Sequence, residues 1–182
     1  PPSARRVRAP VCGGILSGSR AEGKAAGAPP PGNALASRVP RAQRSRVEAA
    51  SHRFEEHTGE VQVRLRAPDR AGLYREAARA LAELMAPGAG AGEGEPVPVE
   101  VRGRDPAALL VNWIDELIFL VDTTGRVYPE VEIEQIDAHR LRARVRGCVP
   151  ARFKTAVKAA TFHRLAVEED EEGFTARLVL DV

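Results

Sequence analysis

Cysteine is scarce: Cys12 and Cys148 are the only two in 182 residues. That excludes a disulfide framework or a cluster of metal-bound thiolates, and it suits a reducing cytosol. Long hydrophobic runs are also missing. The longest, Leu117 to Val121, stops at Asp122, far short of the roughly 20 apolar residues that span a bilayer. The stretch Val11 to Leu16 is too short and too glycine-broken for a signal peptide core, so a soluble, cytoplasmic protein is expected. Metal-ligand spacings such as HExxH or CxxC are absent, and His57, His139 and His163 are scattered. No glycine-rich loop leads into Lys-Ser or Lys-Thr, no serine elbow is present, and Cys148 precedes Val149-Pro150 with no base beside it. Phosphate-loop and nucleophilic chemistry therefore have no candidate.

The charge is unevenly divided. The formal net charge is +2, but residues 1–53 hold nine Arg and one Lys against Glu22 and Glu48, a net of +8, which leaves −6 for residues 54–182. The first segment is rich in Pro, Ala, Gly, Ser and Arg and shows no sustained periodicity. Such a composition buries too little apolar surface to offset chain entropy, and residues 1–53 are expected to be disordered. The sequence opens on Pro1, so this segment reads as the leading edge of a fragment, as upstream sequence read through from a misplaced start, or as a basic tail able to touch RNA. The acidic remainder, 54–182, disfavours nucleic-acid binding by bulk charge.

From Phe54 the pattern is orderly. Val61, Val63, Leu65 and Ala67 alternate with polar residues, predicting a strand of about seven residues. Asp69 offers a helix N-cap before Leu73, Ala77, Ala80, Leu81 and Leu84, and this helix should end near Ala86-Pro87-Gly88. After a flexible loop from Gly88 to Pro98, Val97, Val99 and Val101 alternate as a second strand. Asp105-Pro106 starts a second helix whose stripe from Leu109 to Val121 should form the centre of the core, ending in a turn over Asp122 to Gly125. A third strand begins at Val127, and Leu141, Ala143 and Val145 alternate with Arg140, Arg142, Arg144 and Arg146. The runs 156–167 and 174–182, separated by Glu168-Glu169-Asp170-Glu171-Glu172-Gly173, read as a hairpin.

The segment His57-Thr58-Gly59-Glu60 stands just ahead of the first strand, and the sequence closes on Asp181-Val182. Glu60, Asp181 and the Val182 carboxylate are hard oxygen donors of the kind Ca²⁺ and Mg²⁺ take, although spacing alone leaves them as solvated carboxylates at strand ends. Lys158 lies between Val157 and Ala159 and reads as a lysine on a strand face, where solvation is the ordinary role.

Four stretches taken in order resemble the archease family: FEEHTGEVQVRLRAPD, LLVNWIDELIFLVDT, KTAVKAATFHRLAV and the closing LDV. The resemblance covers residues 54–182. It implies an α+β fold with two helices packed on a mixed β-sheet, and a role that is not enzymatic: a protein activator of the GTP-dependent tRNA-splicing RNA ligase of the RtcB type, promoting guanylylation and multiple turnover of that ligase. It further implies a divalent cation, calcium by family habit, held by Glu60, Asp181 and Val182. Lys158 matches a lysine the family needs for activation, and His57 belongs to the same opening motif, where ordering the turn is its alternative role. The family's Ala-Asp pair is Gly59-Glu60 here, and the longer side chain implies weaker metal binding.

Two other readings compete. A small RNA-binding module would use the basic tail and the row Arg140, Arg142, Arg144 and Arg146. A standalone hydrolase would need the same carboxylates in an open cleft.

Overall fold

The computed structural model describes residues 49–182. The expectation of disorder over residues 1–48 lies outside the described residues. Ser51, His52 and Arg53, assigned from sequence to that disordered segment, instead open the first strand, β1 (Ser51–His57). Its core-facing residues are His52 and Phe54, so a single apolar side chain marks the inner face and the alternation is invisible. In place of a second apolar residue, His52 Nδ1 lies 2.8 Å from Glu76 and its Nε2 lies 3.2 Å from Glu83. This polar contact fastens the edge strand to a helix.

The remaining elements follow in order: β2 (Glu60–Ala67), α1 (Arg70–Met85), β3 (Val97–Arg102), α2 (Pro106–Thr124), β4 (Val127–Ile136), β5 (Arg140–Cys148), β6 (Ala159–Asp170) and β7 (Gly173–Asp181). The β-structure forms two sheets, one ordered β1-β2-β7-β6 and the other β3-β5-β4, with every neighbouring pair antiparallel. Helix α1 packs on β2, β7 and β4, and α2 on β6, β3, β4 and β5. Each helix therefore touches both sheets, which is why both carry wide buried arcs.

The helix boundaries follow local chemistry. The Asp69 carboxylate accepts from the Gly72 amide at 2.5 Å and the Asp105 carboxylate from the Ala108 amide at 2.7 Å, satisfying amides left free in the first turns. Helix α2 runs on through Asp122, Thr123 and Thr124, which the sequence pattern assigned to a turn. The Thr123 and Thr124 hydroxyls donate back to the Phe119 and Leu120 carbonyls, and Gly125 closes the helix at φ +67°. The loop between α1 and β3, expected to be flexible, is tied to β5: the Glu93 amide donates to the Gly147 carbonyl at 3.0 Å and Arg146 to the Gly94 carbonyl at 3.2 Å.

The core centres on a pair of fully buried aromatics. Trp113 Nε1 donates to the Tyr74 carbonyl and the Tyr74 hydroxyl donates to the Pro106 carbonyl, each at 3.0 Å. The two helices are thus joined by polar contacts inside an apolar layer, where an unpaired group would be costly. Burial also holds the Tyr74 phenol far above its ordinary pKa, so it stays a donor. Trp113→Phe should lower the unfolding free energy by about 2–3 kcal/mol, through lost volume and the lost indole hydrogen bond. Urea unfolding followed by far-ultraviolet circular dichroism measures this, and an unchanged midpoint would show that the clasp does not hold the helices.

Candidate metal site at one end of the four-stranded sheet

The segment His57-Thr58-Gly59-Glu60 is the connection of the β1–β2 hairpin. Gly59 takes φ +77°, a left-handed conformation that suits glycine, with open space where a Cβ would point. On β2 the odd residues Val61, Val63, Leu65 and Ala67 are buried, while Glu60 and Arg64 are exposed. Glu60 therefore lies on the outer face of the sheet. The register then sets its neighbours: His57 is the partner of Glu60 on β1, Asp181 its partner on β7, and Ala159 the partner of Asp181 on β6. Directly opposed residues of antiparallel strands share a face, with Cβ atoms about 5 Å apart. Glu60 and Asp181 thus sit side by side at one end of the sheet, although 121 positions separate them in sequence.

Val182 joins this end through its backbone. Its amide donates to the Gly59 carbonyl at 3.2 Å, so the last residue is tied to the hairpin turn beside Glu60. Lys158 is not on a strand face as the alternation suggested. It stands just before β6, exposed, with its amide donating to the Asp181 carbonyl at 2.9 Å and its ammonium donating to the Val182 oxygen at 3.1 Å. The structure therefore brings together four of the sequence-predicted residues, Glu60, Asp181, Val182 and Lys158, and places His57 in the same row by register. Asp181 and Val182 are half-buried, whereas Glu60 is exposed.

The donor set can be tested for fit to a divalent cation. Two side-chain carboxylates and the Val182 main-chain oxygen are hard ligands of the type calcium takes, and flexible geometry is tolerated there. Among the described residues, no group of three or more His, Cys, Asp and Glu side chains is placed to hold a metal. Among the described residues, side chains thus supply Glu60 and Asp181, and further ligands would be main-chain oxygens and water. The residues fit a weak, partly hydrated site.

Two features were missed from sequence. Asp115 on α2 accepts from the Ala160 amide at 2.8 Å, fixing the start of β6 immediately after Lys158. Further along β6 the pairing slips between Thr161 and Ala166, so that residues 162–165 stand against Leu178 alone, with Arg164 at φ +53°. The segment Thr161-Phe162-His163, one of the stretches that carried the family likeness, runs into this bulge, and Phe162 is exposed. An aspartate in an amphipathic helix and a break inside an apolar run leave no mark in periodicity.

The rival arginine row is largely neutralised. Arg140 and Arg142 reach Glu100 at 2.8 and 3.6 Å, and Arg144 reaches Glu134 at 2.6 Å. Hydrogen bonds from Arg140 and Arg102 hold the Glu100 carboxyl below the usual range. Cys148 is buried, donates to the Gly90 carbonyl at 3.2 Å, and has its pKa raised by desolvation, so it is an unreactive thiol.

An α+β protein with two helices packed on antiparallel sheets, and a carboxylate pair closing one sheet end, is the class this structure defines. Residues 52–182 match the Archease protein family (MTH1598/TM1083), and the chain belongs to that family. It is 30% identical over 138 residues to the protein archease of Archaeoglobus fulgidus, covering 72% of this chain and 98% of that one. It is 31% identical over 134 residues to the protein archease of Methanopyrus kandleri, covering 70% and 96%. The solution structure of Methanobacterium thermoautotrophicum protein 1598 is similar with a TM-score of 0.57 and 26% identity, over 72% of this chain and 98% of that one. Among the described residues no helix is long and apolar enough to cross a membrane.

Two like charges in direct cross-strand register repel when no cation lies between them. In a chelator-treated sample Asp181→Asn should therefore leave stability unchanged or raise it by up to about 1 kcal/mol. Thermal unfolding in EDTA tests this; a large loss would mean that Asp181 is held by other contacts and is not poised for a cation.

Proposed function

We propose that this protein is a metal-dependent activator of a GTP-dependent tRNA-splicing RNA ligase of the RtcB type, promoting guanylylation of the ligase and its multiple turnover. The single observation that supports the reading most is the cross-strand register of Glu60 with Asp181, with Val182 tied to Gly59 beside them. Membership of the archease family supplies the functional frame. A divalent cation, calcium by preference, would be held by Glu60, Asp181 and the Val182 carboxyl group. When bound it supplies fixed positive charge at the sheet end, and the protein's own contribution is to hold the donors in register and to present Lys158.

Lys158 donates to one of the donor oxygens. Its ammonium offsets charge there, and a cation on the same oxygen would compete with it. His57, in register with Glu60, is assigned to the same contact surface. The RNA-binding alternative built on Arg140, Arg142, Arg144 and Arg146 is disfavoured, because residues 54–182 carry a net charge of −6 and Glu100 and Glu134 lie within the row, where they would repel a phosphate backbone.

The direct test is a ligase guanylylation assay without RNA. The wild-type protein should accelerate that step and Asp181→Ala should abolish the acceleration, whereas full activity in the variant would overturn the site. Calorimetry should detect calcium at sub-millimolar to millimolar metal, with Glu60→Asp tightening it. Lys158→Met should bind calcium at least as tightly as the wild type while failing to activate the ligase. Weakened metal binding in that variant would place Lys158 in the metal shell rather than on the partner surface.

A further inference from the structure

The outer face that carries Glu60 and Asp181 at one end changes sign toward the other. Four residue pairs along the ladder, Arg53 on β1 opposes Arg64 on β2, which opposes Arg177 on β7. All three are exposed on the same face. The next row places Arg66 between Ser51 and Thr175. With strands about 4.8 Å apart, Arg53 and Arg177 are about 10 Å from each other across the sheet, and Arg66 lies about 7 Å further along β2.

Like charges directly opposed on adjacent strands are unfavourable. Nearby carboxylates compensate only part of this row: Glu55 pairs with Arg64 at 2.9 Å and Glu172 pairs with Arg66. No carboxylate is paired with Arg53 or Arg177 among the described residues. The other sheet differs, because there Glu100 is shared by Arg140 and Arg142, and Glu134 faces Arg144. The four guanidinium groups line a groove of about 580 Å³, together with Ser51, Thr175, Ala166, Glu55 and Glu168. That volume suits a small ligand. No Phe, Tyr or Trp lines it, so any base stacking is left to the guanidinium planes, which do not select one base over another.

We propose that this groove is a binding site for a small oligophosphate, a chain of two or three phosphates recognised by its charge and not by any base attached to it. Guanidinium forks match phosphate oxygens two at a time. Arg53 and Arg177 supply the unpaired forks from the two flanking strands. Arg64 exchanges its exposed pair with Glu55 for the ligand, a small loss because such surface pairs contribute little. Ser51 and Thr175 add hydroxyl donors in the row of Arg66. The cation candidate at Glu60 lies four residues along β2 from Arg64, about 13 Å away. The site is therefore separate from it and independent of the activator reading.

The test is isothermal calorimetry of the full chain with inorganic triphosphate at low salt, with EDTA present so that metal at Glu60 and Asp181 plays no part. One-to-one binding is expected, equal within a few-fold for inorganic triphosphate, ATP and GTP. Arg53→Ala/Arg177→Ala should weaken it by a hundredfold or so, from about tenfold for each guanidinium lost, while Arg142→Ala/Arg144→Ala should leave it unchanged. Without ligand, the Arg53→Ala/Arg177→Ala variant should melt no lower than the wild type, because a repulsive row has been relieved. Triphosphate should raise the melting temperature of the wild type only. Equal affinity in both double variants would overturn the proposal, as would strong preference for one nucleoside triphosphate or binding of an RNA 20-mer with none of triphosphate. Ligase guanylylation measured on the same variants keeps the two proposals apart, since loss of triphosphate binding with activation intact affects only this site.

Discussion

The ladder between β2 and β7 is the constraint on which the candidate site depends. It pairs all of β2, from Glu60 opposite Asp181 to Ala67 opposite Phe174, and so joins the first hairpin of the described chain to its last strand. Because strand side chains alternate faces, a slip of one residue would move Val61, Val63 and Leu65 out of the core and turn Glu60 inward. The burial of those residues therefore enforces the register that aligns the carboxylates. Packing energy, supplied by residues with no chemistry of their own, positions groups that would otherwise repel each other.

The same ladder carries both charged zones of the outer face. Arg64 stands four residues along β2 from Glu60, and the inner face beneath both is uniformly apolar. A half-buried sheet permits this because the pleat isolates its two faces: the inner set is fixed by the core, and the outer set is free to place charge where a ligand can meet it. The three-stranded sheet uses that freedom differently, laying glutamates of β3 and β4 against arginines of β5. Its outer face is balanced within itself.

Much of the architecture was legible because it rests on local signals. Asp69 and Asp105 cap their helices as their positions suggested, β2, β3 and β5 follow their alternation, and the final hairpin turns at its acidic, glycine-ended segment. Strand β1 was not legible, since its inward residues are His52 and Phe54 and the histidine is accommodated by glutamates on α1. Two successive threonines that bond back to the preceding turn extend α2 into a segment that reads as a loop. At the site, Glu60 and Asp181 could be named as oxygen donors, but nothing in their spacing placed them together; the family resemblance did. Arg53, Arg64 and Arg177 gave no sign at all, as they come from three strands and one lay in a segment read as disordered. Cross-strand neighbours are a property of register, which a single sequence does not display.

The slip in β6 has a separate bearing on how the protein behaves at high concentration. β6 lies at one edge of the four-stranded sheet, where unpaired backbone groups invite another chain to add as a further strand. The four residues that bow out opposite Leu178, with Arg164 in a left-handed conformation, break that edge into two short pieces. Neither piece offers a long flat template, and a cation stands at the break. The irregularity therefore guards the sheet against edge-to-edge aggregation.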